Sequence, residues 1–431
     1  MKRIATLLLC LVQTSLVFGQ QSGPQNTDKL SEYFREIKNA TGKESKLWNK
    51  DLYGGILLVD TKSRQVYSNE SDAKNSLTPH QDIYTGTLPG NINIANTSVQ
   101  WNGKTWAMIM LPLSNDKYDR INLLAHELFH TVQSSLGFPQ GNKESNHLDQ
   151  KDGRVYLRLE LEALEKAVLS DSQKEQRKHL TNALMFRKYR NILFPGSNET
   201  ENQLELNEGL AEYTGFVISG RNKEQTKQHF TDNINSFLKN PTYVRSFAYN
   251  TTPVYGYLLS QKDKYWNQKI TANSNLTDVF IKALNIKIPA DVKAAVEKIS
   301  PEYDGASIIK EEQIREEKIK IRIAEYKAKL IEQPHLEIRF EKMNVSFDPR
   351  NILPIEDKGT VYPNIRVTDN WGILEVKNGA LMYPNWDRMS ISIPSKINDQ
   401  LVEGDGWTLQ LNSNYTVKKD EKGNNYILIK K

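Results

Sequence analysis

A chain of 431 residues with 38% hydrophobic and 25% charged residues has the composition of a soluble globular protein, which excludes disorder over its whole length. The length exceeds the ~100 to 200 residues of a typical domain, so we expect two folded units. The net charge of +5, from 57 basic and 52 acidic residues, is too small to indicate binding to nucleic acid or to an anionic membrane.

The first 19 residues have the pattern of a cleavable secretory leader. Lys2 and Arg3 precede an apolar run, and the polar residues 13–15 leave that run shorter than the ~20 apolar residues that a membrane span needs. We therefore expect residues 1–19 to be a signal peptide and the protein to be secreted, in the periplasm or outside the cell. Cys10, the only cysteine, lies in this leader, so a metal in the mature chain must be bound by His, Asp or Glu.

A helix and two β-hairpins are predicted after the leader. Apolar residues at helical spacing predict a helix over residues 27–39. Residues 53–67 predict two strands around a turn. Residues 99–113 predict a second hairpin that turns at Asn102 and Gly103, because Asn-Gly is the strongest two-residue turn signal.

A helical region and an all-β region complete the chain. Apolar residues recur three and four apart from residue 117 to about residue 219, which predicts helices. Residues 307–333 predict a charged helix, and short segments of strand character follow residue 335. The sequence thus predicts an α+β protein with a signal peptide (1–19), a first domain (20–305) with a β-rich lobe (about 50–115) and a helical lobe (about 116–305), a connector helix (306–334) and a C-terminal β domain (335–431).

The first chemical motif is HELFH, at residues 126–130. His126 and His130 lie one helical turn apart on one face, so both imidazoles can bind the same cation, while Glu127 is rotated by ~100° and can reach a water on that cation. Zinc suits this set, since a hydrolytic zinc site uses three protein ligands and keeps one position open. Apolar neighbours would bury the helix, and such polar groups are costly to bury unless they are paired or metal-bound.

The second motif is NEGLAEY, which carries Glu208 and Glu212 four residues apart. One carboxylate can reach the metal while the other, one turn on, accepts a hydrogen bond from a ligand histidine. HELFH followed by NEGLAEY resembles the gluzincins, the zinc peptidases that include thermolysin and the alanyl aminopeptidases. The resemblance implies that Glu208 is the third zinc ligand and that Glu212 supports a histidine. Glu208 follows His130 by 78 residues, which indicates two helices more than the familiar members have.

Other residues compete for the third ligand position. Glu160, Glu162 and Glu165 lie on a helix between the two motifs, where their alternation with basic residues favours a solvated or ion-paired face. His147 lies in a polar loop. A metzincin site is disfavoured because it needs a third histidine and a glycine soon after His130, and residues 132–138 provide only Gly137.

Further residues are candidates for handling the substrate. Tyr249 and Tyr255 are candidate donors to a developing oxyanion, with ordinary packing as the alternative. Arg187 and Arg190 are candidates for binding a substrate carboxylate, although ion pairs with nearby glutamates are favoured. The strand over residues 105–111 is the predicted edge strand, along which a peptide would add as a further strand.

These patterns predict a secreted zinc peptidase in which Glu127 is the general base toward a zinc-activated water. The expected partner is a peptide or protein, with neither nucleic acid nor a stable membrane span. A GAMEN-like exopeptidase motif is not visible, which favours an endopeptidase. The alternatives are a catalytically silent peptide- or glycan-binding protein on the same scaffold, and a hydrolase of non-peptide amides or esters. Trp371, Trp386 and Trp407 offer aromatic surfaces to a glycan, but tryptophans in a small β domain more often pack in its core.

Overall fold

The computed structural model describes residues 27–138, 140–141, 143–348, 351–421 and 423–431, in two compact units whose boundary in the sequence falls between Ala306 and Ser307. Sheets and helices follow one another along the chain, so the predicted α+β class is confirmed. The predicted signal peptide, with Cys10, lies outside the described residues, and secretion stays a prediction. Within the described ranges, no helix has both the length and the apolar character that crossing a membrane requires.

The first unit opens with helix α1 and a six-stranded sheet. The elements are α1 (Thr27–Lys43), β1 (Gly55–Asp60), β2 (Gln65–Ser68), β3 (Thr78–His80), β4 (Ile83–Thr87), β5 (Thr97–Trp101) and β6 (Lys104–Leu111). The strand order is β3-β4-β2-β1-β6-β5, with β1 parallel to β6 and the other neighbours antiparallel. Asn102 and Gly103 have φ angles of 47° and 83°, as a type I′ turn requires, so the second predicted hairpin is confirmed.

The predicted edge strand is internal, and that prediction is wrong. Strand β6 pairs with β1 over residues 106–111 and with β5 over residues 104–108, so the segment 105–111 is covered on both sides for most of its length. The tight turn at Asn102 and Gly103 forces β5 to lie against β6, and β1 takes the opposite side. The edge strands of the sheet are therefore β3 and β5, and β5 is the edge strand next to β6.

Nine α-helices follow in the described part of the first unit. They are α2 (Lys117–Val132), α3 (Lys151–Leu169), α4 (Gln173–Leu193), α5 (Ser197–Leu204), α6 (Leu210–Ser219), α7 (Lys223–Phe237), α8 (Ala248–Ser260), α9 (Leu276–Ala283) and α10 (Val292–Ile299). One π-helical turn, Glu205–Gly209, joins α5 to α6. Helix α2 packs against α6 and also contacts β5 and β6. The two motifs, 78 residues apart in sequence, are thus brought together, with α3 to α5 in the interval.

Charged side chains form a fully buried network among α3, α4, α5 and the π-turn. Arg187 donates to Glu160 at 2.7 Å and to Glu205 at 2.8 Å. Arg190 donates to Glu160 at 2.7 Å and to Glu201 at 2.6 Å. Both arginines have no exposed side-chain surface, so they are ion-paired, as the sequence favours, and neither is available to a substrate. Both oxygens of Glu160 are paired with these arginines, so Glu160 is excluded as a metal ligand.

The second unit contains most of α11 (Gly305–Lys327), a π-turn (Ala328–Glu332) and a β-sandwich. The strands are β7 (His335–Arg339), β8 (Asn344–Phe347), β9 (Leu353–Ile355), β10 (Gly359–Tyr362), β11 (Ile365–Asp369), β12 (Gly372–Val376), β13 (Ala380–Met382), β14 (Arg388–Ser392), β15 (Pro394–Ile397), β16 (Leu401–Gly404), β17 (Trp407–Leu411), β18 (Tyr415–Lys419) and β19 (Tyr426–Lys430). The sheets have the orders β18-β19-β7-β14-β13-β10-β9 and β15-β16-β17-β12-β11-β8, and inward side chains of both form one apolar core.

The three tryptophans named as glycan platforms differ in their surroundings. Trp371 and Trp407 are 1% and 3% exposed and belong to the sandwich core, so they pack as the composition favours and offer no platform. Trp386 is 36% exposed and borders a shallow cavity that Tyr383 and Glu356 also line. The prediction of glycan contact therefore depends on Trp386 alone.

Candidate metal centre

The HELFH motif lies in the buried middle of α2. Its apolar residues cover the helix, and Leu124, Leu128 and Phe129 are at most 1% exposed. The orientation of the His126 ring is fixed by Glu212, since Nδ1–H of His126 donates to Oε2 of Glu212 at 2.8 Å. Glu212 is itself fixed, because its other oxygen accepts from the side-chain amide of Asn122 at 2.8 Å. This contact leaves Nε2 of His126 to face the π-turn, with Glu212 in the position that the gluzincin resemblance implies.

Glu208 reaches the histidines from the π-turn Glu205–Gly209. Its Oε2 lies 3.5 Å from Nε2 of His126 and 3.4 Å from Nε2 of His130. The two Nε2 atoms are 3.1 Å apart. Gly209 allows the π-turn to pack closely on α8, because a Cβ at that position would collide with the Thr252 side chain. The structure thus brings together the three residues predicted to bind the metal.

The three converging atoms attract positive charge. Burial lowers the pKa of His126, but its contacts with Glu208 and Glu212 outweigh burial, and the pKa lies well above its ordinary value. Burial raises the pKa of Glu208, but the two imidazoles outweigh it, and the pKa lies well below its ordinary value. Both shifts mark a place where a cation or a proton is stabilised between the side chains.

One carboxylate oxygen of Glu127 has no hydrogen-bond partner among the described residues. This oxygen shows whether the three converging residues suit a metal with a bound water. The side chain is 5% exposed, and its buried Oε2 accepts no hydrogen bond from any described residue. Burial raises the pKa of Glu127, although the two histidines partly offset this rise. A buried oxygen of this kind is costly unless it meets an ordered water or a ligand. Two imidazoles, a carboxylate and this free acceptor together suit zinc with an open position.

The two candidate tyrosines lie in different surroundings, although both belong to α8. The Tyr249 hydroxyl donates to Oε2 of Glu208 at 2.5 Å, and its ring stacks on the His126 ring with centroids 5.4 Å apart. Burial, and next the Glu208 charge, holds the pKa of Tyr249 well above its ordinary value. Tyr255 donates instead to Glu160 at 3.0 Å within the buried network. Tyr255 is therefore withdrawn from the candidate site, because its hydroxyl is committed elsewhere.

Two amide side chains at the site were not among the residues predicted from the sequence. Nδ1–H of His130 donates to Gln133 Oε1 at 2.7 Å, and Gln133 Nε2 donates to Asn207 Oδ1 at 2.8 Å. Asn207 Nδ2 donates to Glu208 Oε1 at 3.1 Å. A signal was present, because Gln133 lies three residues after His130 on the same helical face and Asn207 adjoins Glu208.

The remaining rivals for the third ligand position lie outside the group. Nε2 of His147 contacts Oε1 of Glu201 at 2.7 Å and so joins the buried ion network. Glu162 and Glu165, on α3, are not among the described residues that converge with the two α2 histidines. Glu208 is thus the carboxylate that the fold presents to them.

Comparisons of the chain with protein-family models, curated proteins and solved structures find no match. The resemblance to the gluzincins therefore stays a prediction from two short motifs.

Proposed function

We propose that this protein is a zinc peptidase whose metal is bound by His126, His130 and Glu208. The observation that supports it most is the convergence of two imidazole nitrogens and a carboxylate oxygen within 3.1 to 3.5 Å. Each histidine donates its Nδ1–H away from the centre, so both Nε2 lone pairs face inward. Electron-rich atoms this close together repel one another unless a cation or a proton lies between them. Zinc prefers this set of nitrogen and oxygen ligands.

The residues around the metal divide the hydrolytic work. Zinc, when bound, supplies a Lewis acid that polarises a carbonyl and lowers the pKa of a water. Glu127 accepts the proton of the attacking water and passes it to the leaving amine. Its raised pKa suits this role, because burial stabilises the protonated form that passes the proton on. Glu212 and Gln133 hold the two imidazoles in one orientation.

Metal analysis and peptide digestion test the proposal directly. We expect about one zinc ion per purified chain, cleavage of a peptide library, loss of cleavage with a chelator and recovery on adding zinc. A protein without zinc, or cleavage that a chelator leaves unchanged, would refute a zinc peptidase. A protein that binds zinc and peptides without cleaving them would instead support the silent binding protein.

Replacing Tyr249 tests its role as the donor to the oxyanion. Tyr249→Phe removes the hydroxyl and keeps the ring that stacks on His126, so we expect kcat to fall about a hundredfold with zinc content unchanged. Steady-state kinetics and metal analysis measure the two effects. Tyr255→Phe is the matched control, since it removes a buried hydroxyl outside the candidate site. Equal losses of kcat in both variants would rule out a specific role for Tyr249.

The edge strand β5 is the proposed docking place for the substrate backbone. Trp101 and Lys104 flank the two-residue turn as a hydrogen-bonded pair, and pairs along an antiparallel ladder alternate in type. Ser98 and Gln100 therefore direct their N–H and C=O groups away from β6. A peptide added beside β5 would pair with these groups.

Ser98→Pro tests this docking. Proline is tolerated where an edge strand turns its N–H outward, so the fold should persist while one hydrogen bond to the substrate is lost. We expect kcat/KM for peptides to fall about tenfold, with zinc content unchanged. Ser98→Ala keeps the N–H and should behave as the wild type. Wild-type kcat/KM in the proline variant would mean that the substrate lies elsewhere.

A further inference from the structure

An amide chain links the second histidine of the motif to Glu208. It runs from His130 through Gln133 and Asn207 to Oε1 of Glu208, with steps of 2.7, 2.8 and 3.1 Å. Gln133 has no exposed surface and Asn207 is also buried, so water does not compete for these hydrogen bonds. Glu208 thus closes a ring, because its other oxygen faces Nε2 of His130.

The carboxylate at the end of the chain fixes the direction of every hydrogen bond in it. An ionised Glu208 only accepts, so Asn207 must present its NH₂ group to Glu208 and its oxygen to Gln133. Gln133 must then present its NH₂ group to Asn207 and its oxygen to His130. Nδ1 of His130 must therefore carry the proton, which leaves the Nε2 lone pair to face inward.

We infer that Gln133 is a positioning residue through which Glu208 sets the tautomer of His130. The consequence for metal binding rests on the proposed function: Glu208 orients a second ligand besides serving as a ligand. His126 is oriented differently, by the charged Glu212. The neutral amide at residue 133 orients His130 without adding another negative charge beside Glu127 and Glu208.

The first test reads the tautomer in the metal-free protein by ¹⁵N NMR, at an alkaline pH where the imidazoles are neutral. We expect His130 of the wild type to be protonated at Nδ1. Gln133→Leu removes the acceptor, so His130 should shift toward the Nε2–H form, which can donate to Glu208. Gln133→Glu restores the acceptor for His130, although not the donor to Asn207, and should restore the Nδ1–H form, while His126 stays unchanged in both variants. An unchanged His130 in Gln133→Leu would overturn the inference.

The second test measures zinc affinity by competition with a chelator. Gln133→Leu should weaken affinity about ten- to hundredfold, and Gln133→Glu should recover most of it. Asn182→Leu is the matched control, since it removes a buried amide whose partner is Tyr303, which is not a member of the candidate metal group. An equal loss in the control, or none in Gln133→Leu, would contradict the inference.

The inference can still be tested if Gln133→Leu does not fold or if the wild type binds no zinc. If Gln133→Leu does not fold, Asn207→Leu replaces it, because it removes the oxygen that accepts from the Gln133 amide and should also mix the His130 tautomers. If the wild type binds no zinc, the proposed function fails, while the tautomer measured in the metal-free protein still supports or refutes the chain of amides.

Discussion

Glu127→Gln is expected to lower kcat for peptide hydrolysis by about three orders of magnitude, while zinc affinity and fold persist. The amide has nearly the same shape as the carboxylate but cannot accept the proton of the attacking water. Glu127 is not among the three residues that converge on the proposed metal, so the metal content should not change. Stopped assays with a defined peptide, together with metal analysis, measure both quantities.

The same substitution should make the metal-free protein more stable at neutral pH. Burial raises the pKa of Glu127, so the folded state binds its proton more tightly than the unfolded state does. Above the folded pKa this difference disfavours folding, and below the ordinary pKa it disappears. The gain in the free energy of unfolding of Glu127→Gln should therefore shrink as the pH falls.

Glu162→Gln, on α3, is the control for the effect of Glu127→Gln on kcat. Comparable losses of kcat in the two variants would exclude Glu127 as the base.

Arg187→Met is expected to lower the free energy of unfolding by about 3 to 5 kcal/mol. Arg187 is fully buried and neutralises Glu160 and Glu205, so its removal leaves those carboxylates in the interior with fewer partners. Urea unfolding followed by circular dichroism measures the loss. Zinc affinity should fall as well, because Glu205 belongs to the same π-turn as Glu208.

The neighbouring residue gives a matched control for this prediction. Lys188 pairs with Asp278 at 2.9 Å on the surface, where water screens both charges. Lys188→Met should therefore change the free energy of unfolding by less than about 1 kcal/mol. If the two variants lose similar stability, the buried network contributes no more than a surface ion pair.

The local parts of the site were predictable from the sequence, because helical periodicity alone sets them. His126, Glu127 and His130 share a short stretch of α2, and their relative directions follow from 3.6 residues per turn. The same reasoning, applied further, separates the two tyrosines. Tyr249 and Tyr255 are six residues apart on α8, so they point ~120° apart and cannot both face one centre.

The long-range parts were not predictable from single-residue patterns. The order of strands in a sheet depends on pairing across the chain, and so β5, rather than residues 105–111, forms the edge. The link from Gln133 to Asn207 was not predictable, because the spacing of three residues from His130 says nothing about a second partner 74 residues away. The role of Glu208 as a zinc ligand stays a prediction, now supported by its distances to both histidines.

The π-turn between α5 and α6 sets the directions in which Glu205 and Glu212 point. In a regular helix Glu205 and Glu212, seven residues apart, would share one face. The turn accommodates one extra residue, which rotates them roughly a third of a turn apart. Glu205 can therefore meet Arg187 while Glu212 meets His126. Rewinding the turn into a regular α-helix with the same residues would return both carboxylates to one face, so the buried ion network and the hydrogen bond to His126 both depend on this irregular turn.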